Sequence, residues 1–328
     1  MSIIELDQID SINENIDNIY MTIQQLEYVL AVIEHGSFSK AAEACFVTQP
    51  TLSSQTSKLE RELGIFLLDR LRRPVGPAPG IDIILQRARS AIQQLKTIPA
   101  LAAEHHESIS GELRVGIIPT LSQYLLPLFL DRFLDTFPDV NVKVSELKSD
   151  DILSGVLDFE LDCGILALPS GAKGLVEYPL FYEEFYVYFG PGDQETGRID
   201  INDLNRDELL LLRDGHCLRD QVIDLCGQPT TRSSSRIEFE TGSLESLKCL
   251  VEQGMGFTLL PELSVSEMAE EKKRRVHPLG PVTPMRRIGL VSHPTYFRPK
   301  LHTFFSEAIQ DGLPEAVRDR EVDSFLKP

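Results

Sequence analysis

No stretch of this 328-residue chain stays apolar for long. The uncharged hydrophobic stretch Leu121 to Leu130 falls well short of the roughly 20 residues that a membrane-spanning helix needs. Residues 1–20 also lack the basic opening of a signal peptide, since they carry five acids and no base. Together these absences predict a cytoplasmic protein with no membrane partner. Cysteine is scarce, with five residues in no compact ladder. That excludes a secreted disulfide framework and leaves any pairing as a redox event. There is no internal repeat and no long low-complexity tract. Apolar residues make up 42% and charged residues 25%, ordinary globular usage that excludes wholesale disorder and collagen-like sequence. The length suits two or three modest domains.

Base is in deficit, 32 residues against 50 acids, for a net charge of −18. The deficit is uneven: −5 in residues 1–20, zero over 21–76, and the remaining −13 in 77–328. A neutral module on an acidic body directs any nucleic-acid contact onto that module, because phosphate is repelled elsewhere.

From Met21 the pattern is helical, with Leu26, Val29, Leu30 and Ile33 at three- and four-residue spacing and a break at Gly36-Ser37. A short helix fits Ser39 to Phe46, and a third fits Pro50 to Leu63, with Pro at its start and Gly64 past its end. Two short helices joined by the turn Val47-Thr48-Gln49 after a first helix predict a winged helix-turn-helix over 21–80, with 65–80 as the strand-turn-strand wing. Residues from Ile81 to about His106 read as a linker and dimerisation helix, and Glu107 to Gly111 as a hinge, within a linker of 81–110. Beyond it, strands at 112–119, 141–147 and 163–168 alternate with helices Leu121–Phe137 and Asp150–Leu157. A second unit follows: strands at 185–189, 209–212, 236–240 and 257–261, with helices around Leu218–Leu225 and Leu244–Gln253. Strand 288–292 and a helix near Leu301–Ala308 return to the first unit. This grammar predicts a parallel sheet with right-handed crossovers. The expected fold is α/β, an α-rich N-terminal winged helix-turn-helix followed by a two-subdomain, Rossmann-like (periplasmic-binding-protein-like) effector domain over 111–310. Subdomain I covers about 111–182 and 283–310, and subdomain II about 183–282. Ligands are expected in the cleft between them. Residues 311–328 read as a loose tail, and 1–20 as an acidic extension dispensable for DNA binding or mildly inhibitory to it.

Certain residues carry a family resemblance. Leu26-Glu27-Tyr28 and G-S-F-S-K-A-A-E-A-C-F-V-T-Q-P-T-L-S-S-Q-T-S-K-L-E-R-E-L-G (36–64) closely resemble the DNA-binding domain of LysR-type transcriptional regulators. Within that family, I-P-T (118–120), L-D-C (161–163) and above all R-D-G-H-C-L-R-D-Q (213–221) resemble the peroxide-sensing members. The resemblance covers roughly 21–310. It implies that Cys217 is the peroxide-reactive cysteine and that Cys226 resolves it in a reversible disulfide. It also implies that Thr120, Ser149, His216, Arg219 and Asp220 hold hydrogen peroxide. The expected partners are double-stranded promoter DNA, a homotetramer of two dimers, RNA polymerase and a cellular dithiol reductant. No cofactor and no metal are expected. The sequence departs from the family in three places. Met21 stands where members begin, the wing G-P-A-P-G-I-D (76–82) lacks a threonine and the following Ala-Gly, and Gly242 replaces a hydroxyl.

The residues support parts of this independently. A peroxide sensor needs a thiolate, and Cys217 begins an expected helix, where unpaired N–H groups and the macrodipole favour an anion. His216 and Arg219 add positive charge and donors, while Asp214 and Asp220 oppose them. Thr120 and Ser149 also read as helix N-caps, and Cys217 as a buried small hydrophobe. His216-Cys217 with Cys226 could open a metal site, but no second pair at zinc-like spacing follows. Cys45, Cys163 and Cys249 read as core. At the start of the third helix, Gln49, Pro50, Thr51, Ser53 and Ser54 face base edges or phosphate. Lys58, Arg70, Arg72 and Arg73 are phosphate ligands, each adding salt dependence. Gly254 and Gly256 fit a helix-to-strand turn better than a nucleotide loop. Three functions compete: a peroxide-responsive activator or repressor, a regulator answering a small anionic metabolite with incidental cysteines, and a thiol peroxidase. A DNA module weighs against the enzyme, since turnover has no need of one.

Overall fold

The computed structural model describes residues 21–105, 109–192, 197–227, 241–296 and 298–320. The extension 1–20, residues 107 and 108 of the hinge, and the strand expected at 236–240 lie outside the described residues. The chain divides into two compact units between Lys96 and Thr97.

The first unit contains α1 (Ile23–His35), α2 (Phe38–Ala44), α3 (Gln49–Leu63), β1 (Leu68–Asp69), β2 (Gly76–Pro77) and the opening turns of α4 (Asp82–His105). α1 starts where Thr22 and Gln25 form a reciprocal capping box, and it stops at Gly36 with φ at +62°, a conformation glycine adopts at little cost. The Thr48 side chain caps α3, Pro50 sits in its first turn, and Gly64 ends it in the left-handed region. Val29, Val32, Ala41, Leu52 and Leu59 form the core of this unit, and buried Gln25 ties α1 to α3 by donating to Gln55 at 3.1 Å. The wing is only a two-residue antiparallel ladder, Leu68 opposite Pro77 and Asp69 opposite Gly76. Pro74, Pro77 and Pro79 remove the donors that a longer ladder needs.

The second unit runs β3 (Gly111–Ile117), α5 (Pro119–Thr136), β4 (Val140–Glu146), α6 (Ser149–Leu157), β5 (Cys163–Leu168) and β6 (Val176–Tyr188). It continues with α7 (Cys217–Cys226), α8 (Leu244–Glu252), β7 (Thr258–Pro261), α9 (Glu262–Ser266), α10 (Glu270–Lys273), β8 (Val276–Pro278), β9 (Met285–Ser292), α11 (Pro299–Gly312) and α12 (Glu315–Arg318). The strand order is β4-β3-β5-β9-β6-β7, with β8 also on β6. β3 is parallel to β4 and β5, as the β-α-β pattern requires, but β9 is antiparallel to β5 and β6, and β6 to β7 and β8. The expectation of a parallel sheet is therefore corrected to a mixed one. β9 re-enters the first subdomain from the second and so runs against its neighbours. β6 spans both subdomains, pairing with β9 over Val176–Glu184 and with β7 over Phe185–Tyr188.

Two smaller expectations also change. The leucines at 209–212 contribute an isolated bridge from Leu209 to Phe257 in place of a strand. The expected loose tail is docked as far as Arg320: Leu313 and Val317 are buried, and Arg320 makes a bidentate pair with Glu262 at 2.7 and 2.8 Å. On α5, Leu121, Leu125, Phe129 and Phe133 recur every four residues and are buried, each contributing about 1.5–3 kcal/mol. Phe305 of α11 meets Phe129 and Phe133 edge-on. Asp162 of the L-D-C segment is structural, its carboxylate accepting from the Arg114 backbone N–H at 2.7 Å and from its guanidinium at 2.9 Å.

Candidate functional site

A narrow pocket lies where three helices begin. Ile118, Pro119 and Thr120 open α5, Lys148 and Ser149 open α6, and Gly215, His216 and Cys217 open α7. α5 and α6 follow the carboxyl ends of parallel strands β3 and β4, the usual ligand position of an open α/β sheet. Each helix N-terminus presents unpaired N–H groups and roughly half a positive charge, so the pocket favours an anion or a group that becomes one.

Neither hydroxyl is a helix cap. Ile118 is the N-cap of α5 and Lys148 that of α6, so Thr120 and Ser149 stand inside their helices, which sets the capping alternative aside. The Ser149 hydroxyl is buried without a hydrogen-bond partner, a state that normally costs about 1–3 kcal/mol. Thr120 Oγ1 accepts from the Arg286 guanidinium at 3.3 Å. Arg286 is itself buried against Glu183, its Nε donating at 2.8 Å, and Glu183 also accepts from the Leu263 backbone N–H. This buried chain under the pocket was not legible in sequence, because Arg286 and Glu183 lie more than 100 positions apart on β9 and β6. Lys148 was missed as well, since nothing in its surroundings marks it.

His216 is buried, and its Nε2 accepts from Arg213 at 3.4 Å, which assigns the ring proton to Nδ1. Burial holds the imidazole below its usual range, and the charges of Arg213 and Lys148 add to the depression. At neutral pH it is an uncharged donor rather than the expected source of positive charge. A Cβ at Gly242 would lie 2.9 Å from His216 Nε2, so the missing hydroxyl at 242 is also missing bulk that lets the ring sit there. Arg219 points away from the pocket: it pairs with Asp214 at 2.8 Å and donates to the Leu212 carbonyl at 2.7 Å. Asp220 is exposed on α7, outside the pocket lining.

All five cysteines are free thiols. Cys217 is partly exposed at the first position of α7, and Cys226 is buried at its last. Burial pushes the Cys226 thiol up to about 11, with Arg206 pulling the other way. Cys163 is buried and its thiol is raised further by the same cause. Cys45 is half-buried and raised by burial, then by Glu27 and Glu34. Cys249 is exposed, which corrects the expectation that it is core. Among the described residues, no group of three or more His, Cys, Asp or Glu side chains could hold a metal ion.

In the first unit, Gln49, Pro50, Thr51 and Ser54 are exposed at the start of α3, with Ser53 half-buried. The Thr51 hydroxyl is hydrogen-bonded to that of Thr48 at 2.8 Å. Lys58 lies on the exposed face of α3 near Glu62, at 3.7 Å. Arg72 and Arg73 are exposed in the wing, Arg73 donating to the Arg70 and Arg72 carbonyls. Arg70 is occupied inside the domain: it donates to Glu60 at 2.9 Å and Ser57 at 3.0 Å, and lies over the Phe38 ring. Glu60 is buried and also accepts the Leu67 and Leu68 backbone N–H groups. Arg70 thus anchors the wing to α3 through Glu60.

A short capped helix pair ahead of a wing, followed by a two-subdomain α/β unit with a cleft, is the architecture of a ligand-gated DNA-binding regulator. The chain matches the model of the bacterial regulatory helix-turn-helix protein, lysR family, over residues 23–79 and that of the LysR substrate binding domain over 106–314, and it belongs to the LysR family. It is accordingly a DNA-binding transcription regulator and not an enzyme. Its relatives include the DNA-binding transcriptional dual regulator OxyR of Escherichia coli, 36% identical over 94% of this chain and 99% of that protein. The hydrogen peroxide-inducible genes activator of Pectobacterium carotovorum is 37% identical over 84% and 91%. Among solved structures, a full-length OxyR variant from Pseudomonas aeruginosa matches with a TM-score of 0.74 at 30% identity, covering 88% of this chain and 98% of that one. A hydrogen peroxide-bound OxyR mutant from Corynebacterium glutamicum matches with a TM-score of 0.57 at 33% identity, covering 89% and 92%. Among the described residues, no helix is long and apolar enough to cross a membrane.

Proposed function

We propose that the protein is a cytoplasmic, peroxide-responsive regulator of oxidative-stress genes, switched by Cys217. The observation that carries this reading is the placement of Cys217 at the start of α7, in one pocket with the Thr120 and Ser149 hydroxyls and neutral His216. The Ser149 hydroxyl without a partner is free to donate to a small polar ligand. In the first step the Cys217 thiolate attacks one peroxide oxygen: the S–O bond forms, the O–O bond breaks, sulfur is oxidised by two electrons, and hydroxide leaves and is protonated to water. In the second step Cys226 sulfur displaces hydroxide from the sulfenic acid, giving a disulfide and a second water, and a cellular dithiol returns both thiols. The names of the relatives support the effector.

On the DNA side, α3 reads the major groove through Gln49, Pro50, Thr51, Ser53 and Ser54, with Lys58, Arg72 and Arg73 on phosphate. One α3 reads one half-site, so the working form is an oligomer, a dimer of dimers contacting RNA polymerase at the promoter. Exposed Ile84 and Leu95 on α4 supply an association face.

The test is thiol counting after a stoichiometric peroxide pulse. The expected result is the loss of two thiols, mapped to Cys217 and Cys226, with none lost in Cys217→Ser and a sulfenate trap labelling Cys217 in Cys226→Ser. A trap that labels Cys45, Cys163 or Cys249 first overturns the assignment. An unchanged thiol count, with a small anion raising the melting temperature, returns the metabolite alternative.

A further inference from the structure

The oxidation of Cys217 carries one negative charge throughout, first on sulfur and then on the departing oxygen. Dipoles alone give such a charge partial compensation, and the residues expected from sequence to add full charge do not: His216 is neutral, and Arg219 is spent on Asp214 and the Leu212 carbonyl. Arg286, beneath Thr120, is matched by Glu183. Among the residues lining the pocket, Lys148 is the one that carries a full positive charge.

Its position is built rather than incidental. Lys148 precedes the first turn of α6, beside Ser149, and its Nζ crosses the cleft to donate to the Asp214 carbonyl at 3.2 Å. An ammonium has three donors, so two remain. Gly215 makes the crossing possible: its φ is +84°, and a Cβ there would lie 2.8 Å from Nζ. The charges around Lys148 are mixed: Asp214 is paired with Arg219, Glu146 accepts from the Ser122 hydroxyl and keeps its negative charge, Arg213 is a cation, and Asp150 and Asp151 are exposed in the first turn of α6. Among the described residues, none of these carboxylates forms an ion pair with the Lys148 ammonium.

We propose that Lys148 is the cation of the Cys217 pocket, holding the α6 and α7 turns together and stabilising the negative charge that passes from the Cys217 sulfur to the leaving hydroxide. This rests on the peroxide reading above. A unit charge acting within one partly wet pocket is worth about tenfold in rate.

The test uses the full chain with Lys148→Gln and Lys148→Arg. Two quantities are measured: the second-order rate of Cys217 oxidation by hydrogen peroxide, and, without peroxide, the pH midpoint of Cys217 alkylation by iodoacetamide. The melting temperature verifies folding. K148Q is expected to slow oxidation about tenfold and move the midpoint up by about one pH unit, with K148R restoring both. Wild-type rate and midpoint in K148Q overturn the proposal. So does an equal slowing in both variants with the midpoint unmoved, which makes Lys148 a strap without an electrostatic role. A wild-type protein whose Cys217 resists peroxide overturns the peroxide reading itself and this inference with it, and is told apart by needing no variant.

Discussion

Oxidation to a Cys217–Cys226 disulfide must dismantle α7. The two cysteines are the first and last residues of one helix, and nine steps at about 1.5 Å each place their Cα atoms about 13 Å apart. A disulfide requires about 7 Å or less, so the bond cannot close while the helix stands. Opening α7 withdraws Leu218 and Val222, 2% and 4% exposed, from the core along with the Cys226 thiol. Exposing the two aliphatic side chains costs about 3–6 kcal/mol, which disulfide formation and new packing must offset. Hydrogen exchange read by mass spectrometry on both redox forms measures this directly. Amides within 221–226, which are bonded inside α7 when reduced, should exchange at least about a hundredfold faster after oxidation and recover on treatment with a dithiol. Unchanged protection across α7, in a sample whose Cys217–Cys226 bond is established by mass, would refute the reasoning.

Other predictions follow from particular contacts. Glu60→Ala orphans the buried Leu67 and Leu68 N–H groups and frees Arg70. It should cost about 1–3 kcal/mol, read as a lowered melting temperature and weaker DNA binding, and an unchanged melt argues against the Glu60 anchor. Because the folded-state value of His216 lies below its unfolded one, the unfolded chain takes up that proton first. The stability it supplies is present above about pH 6.5 and is lost as pH falls through that value toward the folded one. Melting curves between pH 7.5 and 5.5 should therefore fall more steeply for wild type than for His216→Asn. At the DNA surface, Arg72→Ala should lower the salt slope of binding by about one while keeping sequence preference, whereas Gln49→Ala should relax preference at one base pair. The reverse pattern in a salt titration on matched and mutated sites would exchange their roles.

The sequence by itself determined the features written in local chemistry. The α3 limits follow from Thr48, Pro50 and Gly64, and the helix expected around Leu218–Leu225 is α7, extended by one residue at each end to Cys217 and Cys226. The R-D-G-H-C segment placed Cys217 at a helix start because helix ends are set by neighbouring residues. The tertiary structure alone decided what those residues meet. Strand direction is not encoded in a strand's own composition, so the antiparallel return of β9 and the span of β6 across both subdomains appeared only with the ladders. Charge was misassigned for the same reason. His216 reads as a cation in sequence, but its protonation depends on burial and on Arg213 and Lys148. Arg70 reads as a free cation, and Arg219 as one opposed by Asp214 and Asp220, but in the structure each is taken up by a carboxylate. Lys148 lines the pocket, and Arg286 and Glu183 back its Thr120, from separate elements. Propensity and capping act over a few residues, whereas desolvation and ion pairing depend on which elements the chain brings together.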